Sequence, residues 1–236
     1  EGSRRGVPWT RIVAEFFAIF AGITLSLLAD DWRQGREDRA EERALLVSLA
    51  DDLRADSAEL TGILDWAYRH SRGAVWLRLR LDEGPPIPED SLQIRLREVT
   101  FSSNYDPVTA TYVALKEGGR MSVIEDGGLR GRITDYYERD QAARVNVATT
   151  VRDELNRWRE TFYDYFEVPL TDTTSVIQLD RFRPVRPWSE FAGDPDVRRQ
   201  VVMIGISGGV QARSTENLLA ANAELVTEIE SYLSSN

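Results

Sequence analysis

Cysteine is absent from the 236 residues. That excludes disulfides, cysteine-ligated zinc, iron–sulfur clusters and thiol catalysis, while leaving the compartment open. Histidine occurs once, at His70, so neither a histidine metal cluster nor a Cys–His pair can be assembled. Lysine is as scarce: Lys116 is the single lysine among 29 basic residues, and 39 acidic residues leave a formal charge of −10. A chain of this sign, with no basic stripe, lacks the cations that neutralise phosphate, which argues against nucleic-acid binding. Proline is missing from the whole interval between Trp9 and Gly84, so nothing in it forbids a continuous helix.

One long apolar run is present. Ile12 to Ala29 reads IVAEFFAIFAGITLSLLA, with Glu15 as its only charge. As a helix it rises about 27 Å, close to the roughly 30 Å of a bilayer's hydrocarbon core. Trp9 and Trp32 bracket it as interfacial anchors. A buried core helix or a signal peptide would also use such a run. Ser3-Arg4-Arg5 faintly resembles a twin-arginine signal, but no small-x-small cleavage site follows, and an uncleaved anchor is the expectation. Ala14, Ala18, Gly22 and Ser26 recur every fourth residue and would form a small-residue ridge for another transmembrane helix. Chance recurrence of small residues is the plain alternative. Phe16, Phe17, Phe20 and Ile23 then face lipid. Glu15 is the candidate intramembrane polar contact, either snorkelling and pairing with Arg11 or bonding to a partner helix. Basic residues flank both ends (Arg4, Arg5 and Arg11; Arg33, Arg36, Arg39 and Arg43) and do not decide orientation. The expectation is a periplasmic soluble domain.

Beyond Trp32, Leu46, Leu49, Leu53, Leu60, Ile63, Leu64 and Ala67 fall at three- and four-residue steps, the pattern of an amphipathic helix. Gly35 and Gly62 weaken it, and Gly73 is a candidate end. Glu83 to Pro88 reads as a loop, and 89–99 as a short helix. Phe101 to Tyr105 reads as a polar turn. Asp106-Pro107 signals a helix start, running through Lys116 and closed by Gly118-Gly119; Gly127-Gly128 punctuates again. Another helix is expected over about 129–166, ended by Pro169. Thr171 to Pro187 reads as irregular, with Val176 to Leu179 a candidate strand. Asp194-Pro195 opens a last helix carrying Leu218, Ala221, Leu225, Ile229 and Leu233 in register. The expected fold is all-α: a 1–8 tail, a 9–32 transmembrane helix, and a 33–236 bundle of long antiparallel helices continuing from it.

No motif supplies chemistry. His70 has no Gly-x-Ser-x-Gly elbow to serve and reads as exposed or structural. Gly205-Ile206-Ser207-Gly208-Gly209 lacks the Gly-Lys-Ser/Thr of a phosphate loop; Gly205, Gly208 and Ala212 read instead as a small helix-packing face. Asp51, Asp52, Asp56 and Glu59 could attract magnesium, but a solvated helix face is the ordinary reading. Tyr136, Tyr137, Trp158, Phe162, Tyr163 and Tyr165 read as packing aromatics. No cofactor is implied.

Glu15, Gly22-Ile23, Asp30-Asp31-Trp32 and Arg36 resemble the opening of a family of bacterial single-span membrane proteins: an N-terminal transmembrane helix with a Trp-capped end, then a helical domain of unknown function. The two Asp stand where that family more often has amides. Pro107 to Tyr137 resembles its middle region through Thr111-Tyr112, Leu115, Gly119, Ile124, Leu129-Arg130, Ile133 and Tyr136-Tyr137. The resemblance implies an inner-membrane anchor and no activity. These readings favour a non-enzymatic accessory or scaffold subunit of a bacterial membrane complex, with a bioenergetic (photosynthetic or respiratory) assembly as one candidate host. Its partners would be lipid and other membrane subunits, with homo-oligomers possible. The alternative is a single-span sensory anchor with a ligand-binding helical domain.

Overall fold

The computed structural model describes residues 9–83, 89–101, 105–168 and 182–235, with side chains described at all of these except 9–15, 17, 18 and 31. The 1–8 tail, most of the Pro-rich loop and the candidate strand at 176–179 lie outside the described residues. The fold is all-α. Helix α1 (Trp9–Glu83) is 75 residues long, roughly 110 Å at 1.5 Å per residue. Then come α2 (Glu89–Thr100), α3 (Ala110–Glu117) and a 3-10 turn at Met121–Val123. Next are α4 (Gly127–Asp135), a π-helical stretch at Tyr136–Gln141, and α5 (Ala142–Tyr163). The chain closes with β1 (Phe166–Glu167), β2 (Arg183–Pro184), α6 (Trp188–Gly193) and the 41-residue α7 (Pro195–Ser235).

Two helices form the spine. On α1 the buried positions include Glu42, Leu46, Leu49, Leu53, Asp56, Leu60, Ile63, Ala67, His70, Ala74, Leu77 and Leu81. On α7 they include Val197, Val201, Ile204, Gly208, Gln211, Thr215, Leu218, Asn222, Leu225 and Ile229. Both sets alternate steps of three and four, the heptad spacing that keeps one seam facing a partner helix. The pair is antiparallel. Arg43 donates to the Leu233 carbonyl at 2.9 Å, Ser71 to the Gly205 carbonyl at 3.2 Å, and Arg198 to the Leu81 carbonyl at 2.8 Å.

Two apolar cores lie along this spine. The first joins Leu46 to Ile63 of α1 with Tyr112, Leu115, Leu129 and Ile133, and with the C-terminal half of α7. The second joins Ala74 to Leu81 with α2, α5, α6 and the start of α7, around Trp158, Phe162 and Phe191. His70, Gln141, Arg144, Gln211 and Thr215 are buried between the two cores and form a polar layer.

Several boundaries differ from expectation. Gly35 and Gly62 do not interrupt α1, and Gly73 does not end it. Gly73 instead lets α2 approach: a β-carbon there would sit 3.0 Å from Glu98 Cβ. Asp194 caps α7 as expected, accepting from the Asp196 N–H at 2.7 Å ahead of Pro195. Asp106-Pro107 does not open α3, which starts at Ala110. Three carboxylates of α1 capture the backbone there: Glu59 accepts from the Asp106 N–H, Asp56 from Val108 and Asp52 from Thr111. Gly119, at φ 64°, closes α3 with Arg120 N–H bonded to the Leu115 carbonyl and Gly119 N–H to that of Lys116, a Schellman end that needs the left-handed residue. Gly127 and Gly128 sit inside the first turn of α4, whose cap is Asp126, accepting from Leu129 N–H at 2.7 Å. The long helix expected to Phe166 stops at Tyr163, and Phe166 pairs instead with Pro184 in a two-residue antiparallel ladder.

Candidate functional site

The first candidate is the free part of α1. Helix α7 ends at Ser235, close to Arg43, so among the described residues the preceding stretch of α1 runs on without a neighbour. From Ile19 to Asp30 every residue is exposed. Phe16, Ile19, Phe20, Ile23, Leu25, Leu27, Leu28 and Trp32 are each 56–66% exposed. At 100° per residue they point in most directions around the helix, leaving a strip that holds Gly22 and Ser26. Nothing comes within 4 Å of a β-carbon built at Gly22. Trp9, Ala14, Glu15 and Ala18 lie on α1, but their side chains fall outside the described residues, so the four-residue ridge is described only at Gly22 and Ser26. Arg36 lies over the Trp32 ring at 4.9 Å. Among the described residues no helix is long and apolar enough to cross a membrane; six positions of the Ile12–Ala29 run (12–15, 17 and 18) lie outside the described side chains.

The second candidate is buried in the bundle. Asp56, at 1% exposure, is not part of a solvated face. It accepts from the Tyr105 hydroxyl at 2.9 Å and the Tyr136 hydroxyl at 2.8 Å, besides the Val108 N–H. Asn222 of α7 donates to the Tyr136 oxygen at 3.0 Å and to the Leu53 carbonyl at 2.9 Å. Burial first, then the Asp56 charge, pushes both phenols far above the usual tyrosine range, so both remain donors. The wide π turn carries Tyr136, Tyr137 and Gln141 inward together. Tyr137 stacks on Tyr112 at 4.4 Å. Burial, followed by the bond to Glu138, raises Tyr112 to about 12. Of the six packing aromatics, Tyr136 thus serves a polar network and Tyr163 is 45% exposed.

The polar layer lies next to this network. Arg144 is fully buried. Its Nε–H donates to Thr215 Oγ1 at 2.9 Å, and its guanidinium lies 5.2 Å from the Tyr105 ring centroid. Burial lowers its pKa, yet a guanidinium stays protonated at any working pH. Arg144 Nη1 and Nη2, Gln141 Nε2 and the Tyr137 hydroxyl have no hydrogen-bond partner among the described residues. His70 is buried, not exposed; its Nδ1 is 2.7 Å from the Glu98 carbonyl, so Nδ1 carries the proton and Nε2 stays unpartnered. Burial holds its pKa below the ordinary value.

Gly208 faces His70. A β-carbon there would meet Ser71 N at 3.0 Å and His70 Cδ2 at 3.2 Å, whereas one at Gly205 would meet Ala74 Cβ at 3.5 Å. Ala212 is buried four residues further along α7. Glu42 forms a smaller polar contact at the open end, accepting from Glu125 N–H at 2.8 Å and the Tyr232 hydroxyl at 3.0 Å.

Sequence reasoning placed Asp56 on a solvated face and missed Tyr105, Arg144, Thr215 and Asn222 as members of the buried network. The signal was the heptad register, which puts Asp56 between Leu53 and Leu60 and Asn222 between Leu218 and Leu225. Arg144 likewise stands one heptad before the α5 series Val151, Leu155, Trp158 and Phe162, which runs by fours and threes. Among the described residues no three His, Asp or Glu side chains gather as metal ligands. No family model matches the chain, and no curated protein or solved structure is significantly similar to it.

Proposed function

We propose that this chain is a membrane-anchored, non-enzymatic accessory or scaffold subunit, held in a bilayer by the apolar start of α1 and presenting its helical bundle to partner subunits. One observation carries the reading: Phe16 to Trp32 exposes eight large apolar side chains around a helix that no other described part of the chain covers. At 1.5–3 kcal/mol for each side chain removed from water, the exposed area is worth on the order of 10 kcal/mol, more than a typical domain can forgo. Lipid covers such a helix on all sides. The strip with Gly22 and Ser26 suits close approach of a second transmembrane helix. The buried carboxylate of the bundle, Asp56, has both oxygens engaged by tyrosines and backbone, an arrangement that suits holding the fold. The resemblance to single-span membrane proteins points the same way.

The test is purification from native membranes in mild detergent, with mass spectrometry of everything that co-migrates. A reproducible stoichiometric complex supports a scaffold subunit. Release of the chain from membranes by alkaline carbonate, or recovery only as a free monomer, would sink the proposal.

A further inference from the structure

Far from the apolar segment, one side of the bundle leaves large apolar side chains in water. On α1, Val75 and Leu79 are 58% and 56% exposed, and Tyr68 is 43% exposed. At 100° per residue the three point within about 40° of one another. Gly73, which meets Glu98 of α2, points at least about 120° away from Val75 and Leu79. On α7, Ile206 is 55% exposed, and Val202 and Arg213 lie within about 40° of it around the helix. Gln200, which donates to Thr161 of α5 at 2.8 Å, points about 120° or more away from them. The Tyr68 hydroxyl donates to Glu216, two heptads past Val202, and ties the two stripes into one face. That face lies on the side of the α1–α7 pair opposite α2 and α5. Beside it, a groove of about 580 Å³ lined by Val75, Trp76, Leu79 and Arg95 runs along the outer edge of α1. Met203 and Val210 project from the outer edge of α7, at least about 140° from Gly205, which faces Ala74 of α1.

The size of the face and its charges select the occupant. From Asp65 to Asp82 it is about 26 Å long, and two helices make it about 20 Å wide. That is about 500 Å² for each partner, short of the roughly 800 Å² of a standard interface. A partner diffusing in water gains too little from it. A partner confined to the same bilayer needs less, because confinement raises its effective concentration. Both signs of charge are present. Arg213 is exposed and has no acidic partner among the described residues, and Asp65 stands at the same level on α1. A partner of one sign would meet a like charge at one of them. A second copy meets each with its opposite.

We infer that this face of α1 and α7 is the interface with a second, parallel copy of the chain. The inference rests on the bilayer anchor proposed above, which sets two copies side by side, level and pointing the same way. A two-fold axis along the bundle then lays α1 of one copy on α7 of the other. The levels match those already shared within one chain, where Ser71 meets Gly205 and Leu81 meets Arg198. Val75 and Leu79 pack on Val202 and Ile206 of the second copy, and Asp65 meets its Arg213. Met203 and Val210 of each copy overhang the groove beside Trp76 of the other. Every contact occurs twice, as a two-fold interface requires.

The chain has no native cysteine, so one cysteine in each of two differently tagged chains reports only contacts between copies. The full-length Leu79→Cys and Val202→Cys chains are co-reconstituted in vesicles of phosphatidylethanolamine and phosphatidylglycerol and oxidised with copper phenanthroline. The mixed disulfide should form about tenfold faster than between Leu79→Cys and Thr149→Cys, an exposed position on α5. Adding Ile206→Glu to both chains, at an exposed site the fold tolerates, should bring the rate down to that background. Equal rates in the two mixtures would assign the face to a different partner and overturn the inference. Faster linking of Leu79→Cys to Tyr68→Cys than to Val202→Cys would show a head-to-tail pair and overturn it too. Flotation of the vesicles reads the anchor separately. A chain that floats without linking loses the interface and keeps the anchor; one that links without floating loses the anchor and keeps the interface.

Discussion

Gly208 and Gly209 are neighbours in the middle of α7, yet replacing them with alanine should have opposite effects. Both substitutions gain helix propensity of about 0.8–1 kcal/mol. At Gly209 that is the whole effect, because the position is exposed and nothing lies within 4 Å of its added β-carbon. At Gly208 the same methyl lands 3.0 Å from Ser71 N and 3.2 Å from Ser71 Cα and His70 Cδ2. Two of those three atoms are α1 backbone and cannot swing aside. Overpacking of this kind costs about 1–3 kcal/mol. The propensity gain is common to both variants and cancels in their difference, so Gly208→Ala should be less stable than Gly209→Ala by about 1–3 kcal/mol. Gly205→Ala, with an ordinary 3.5 Å contact to Ala74 Cβ, should behave like Gly209→Ala. Thermal unfolding of the full chain in detergent, followed by far-UV circular dichroism, reads the difference as about 2–12 °C. Equal midpoints for Gly208→Ala and Gly209→Ala would refute the claim that α1 and α7 touch backbone to backbone at this point.

Asp56→Ala strands two tyrosine hydroxyls and a backbone N–H in the core, and chemical denaturation should show a loss of about 3–5 kcal/mol; Tyr136→Phe, which removes one of those donors, should lose about 1–2 kcal/mol. His70 is neutral in the fold and has a depressed pKa, so below the ordinary histidine value of about 6.5 the unfolded chain binds more protons. Its contribution is therefore present above that pH, and stability should fall by at most about 1 kcal/mol between pH 6.5 and 5.5. His70→Asn, whose amide can still donate to the Glu98 carbonyl, should flatten that slope; an unchanged slope would reassign the titration. The native chain contributes no thiol background, so Ser234→Cys at the open end of the bundle can report sidedness: labelling of intact spheroplasts by a membrane-impermeant maleimide is expected, and labelling only after lysis would place the bundle on the cytoplasmic side.

Legibility followed how local each signal was. Asp194-Pro195 and Asp106-Pro107 are the same dipeptide, and only the first starts a helix where it stands. Around Asp194 the cap is made by the aspartate itself. Around Asp106, α1 carboxylates some 50 residues away take the backbone N–H groups, and no window around Pro107 contains them. Leu46 to Ala67 announced the core face of α1 because apolar periodicity is a property of one helix. Asp56 occupies that same face although its chemistry suggested solvent, and only its partners on the π-helical stretch and the Tyr105 segment explain its burial; His70, read as exposed or structural, is tied to the Glu98 carbonyl of α2. Gly205, Gly208 and Ala212 were legible as small residues, while their neighbours on α1 were not. For Arg144 the register was visible, but which of its donors would find a partner is purely tertiary information.

The length of α1 is also a measure of distance. The stretch from Ala29 to Glu83 covers about 80 Å at 1.5 Å per residue, and α7 braces it over roughly 60 Å of its own length. Whatever holds the Phe16–Trp32 segment therefore holds one end of a ruler, and the aromatic core around Trp158, Phe162 and Phe191 sits near the other. A partner touched at that far end must itself stand tens of ångströms away from the apolar segment. A partner touched at Glu42 and Tyr232 need reach only about 20 Å. Cross-linking from the two ends would thus sample different neighbours, and removing one heptad of α1 between Trp32 and Glu42 would bring the bundle about 10 Å closer to the apolar segment while leaving its packing register unchanged.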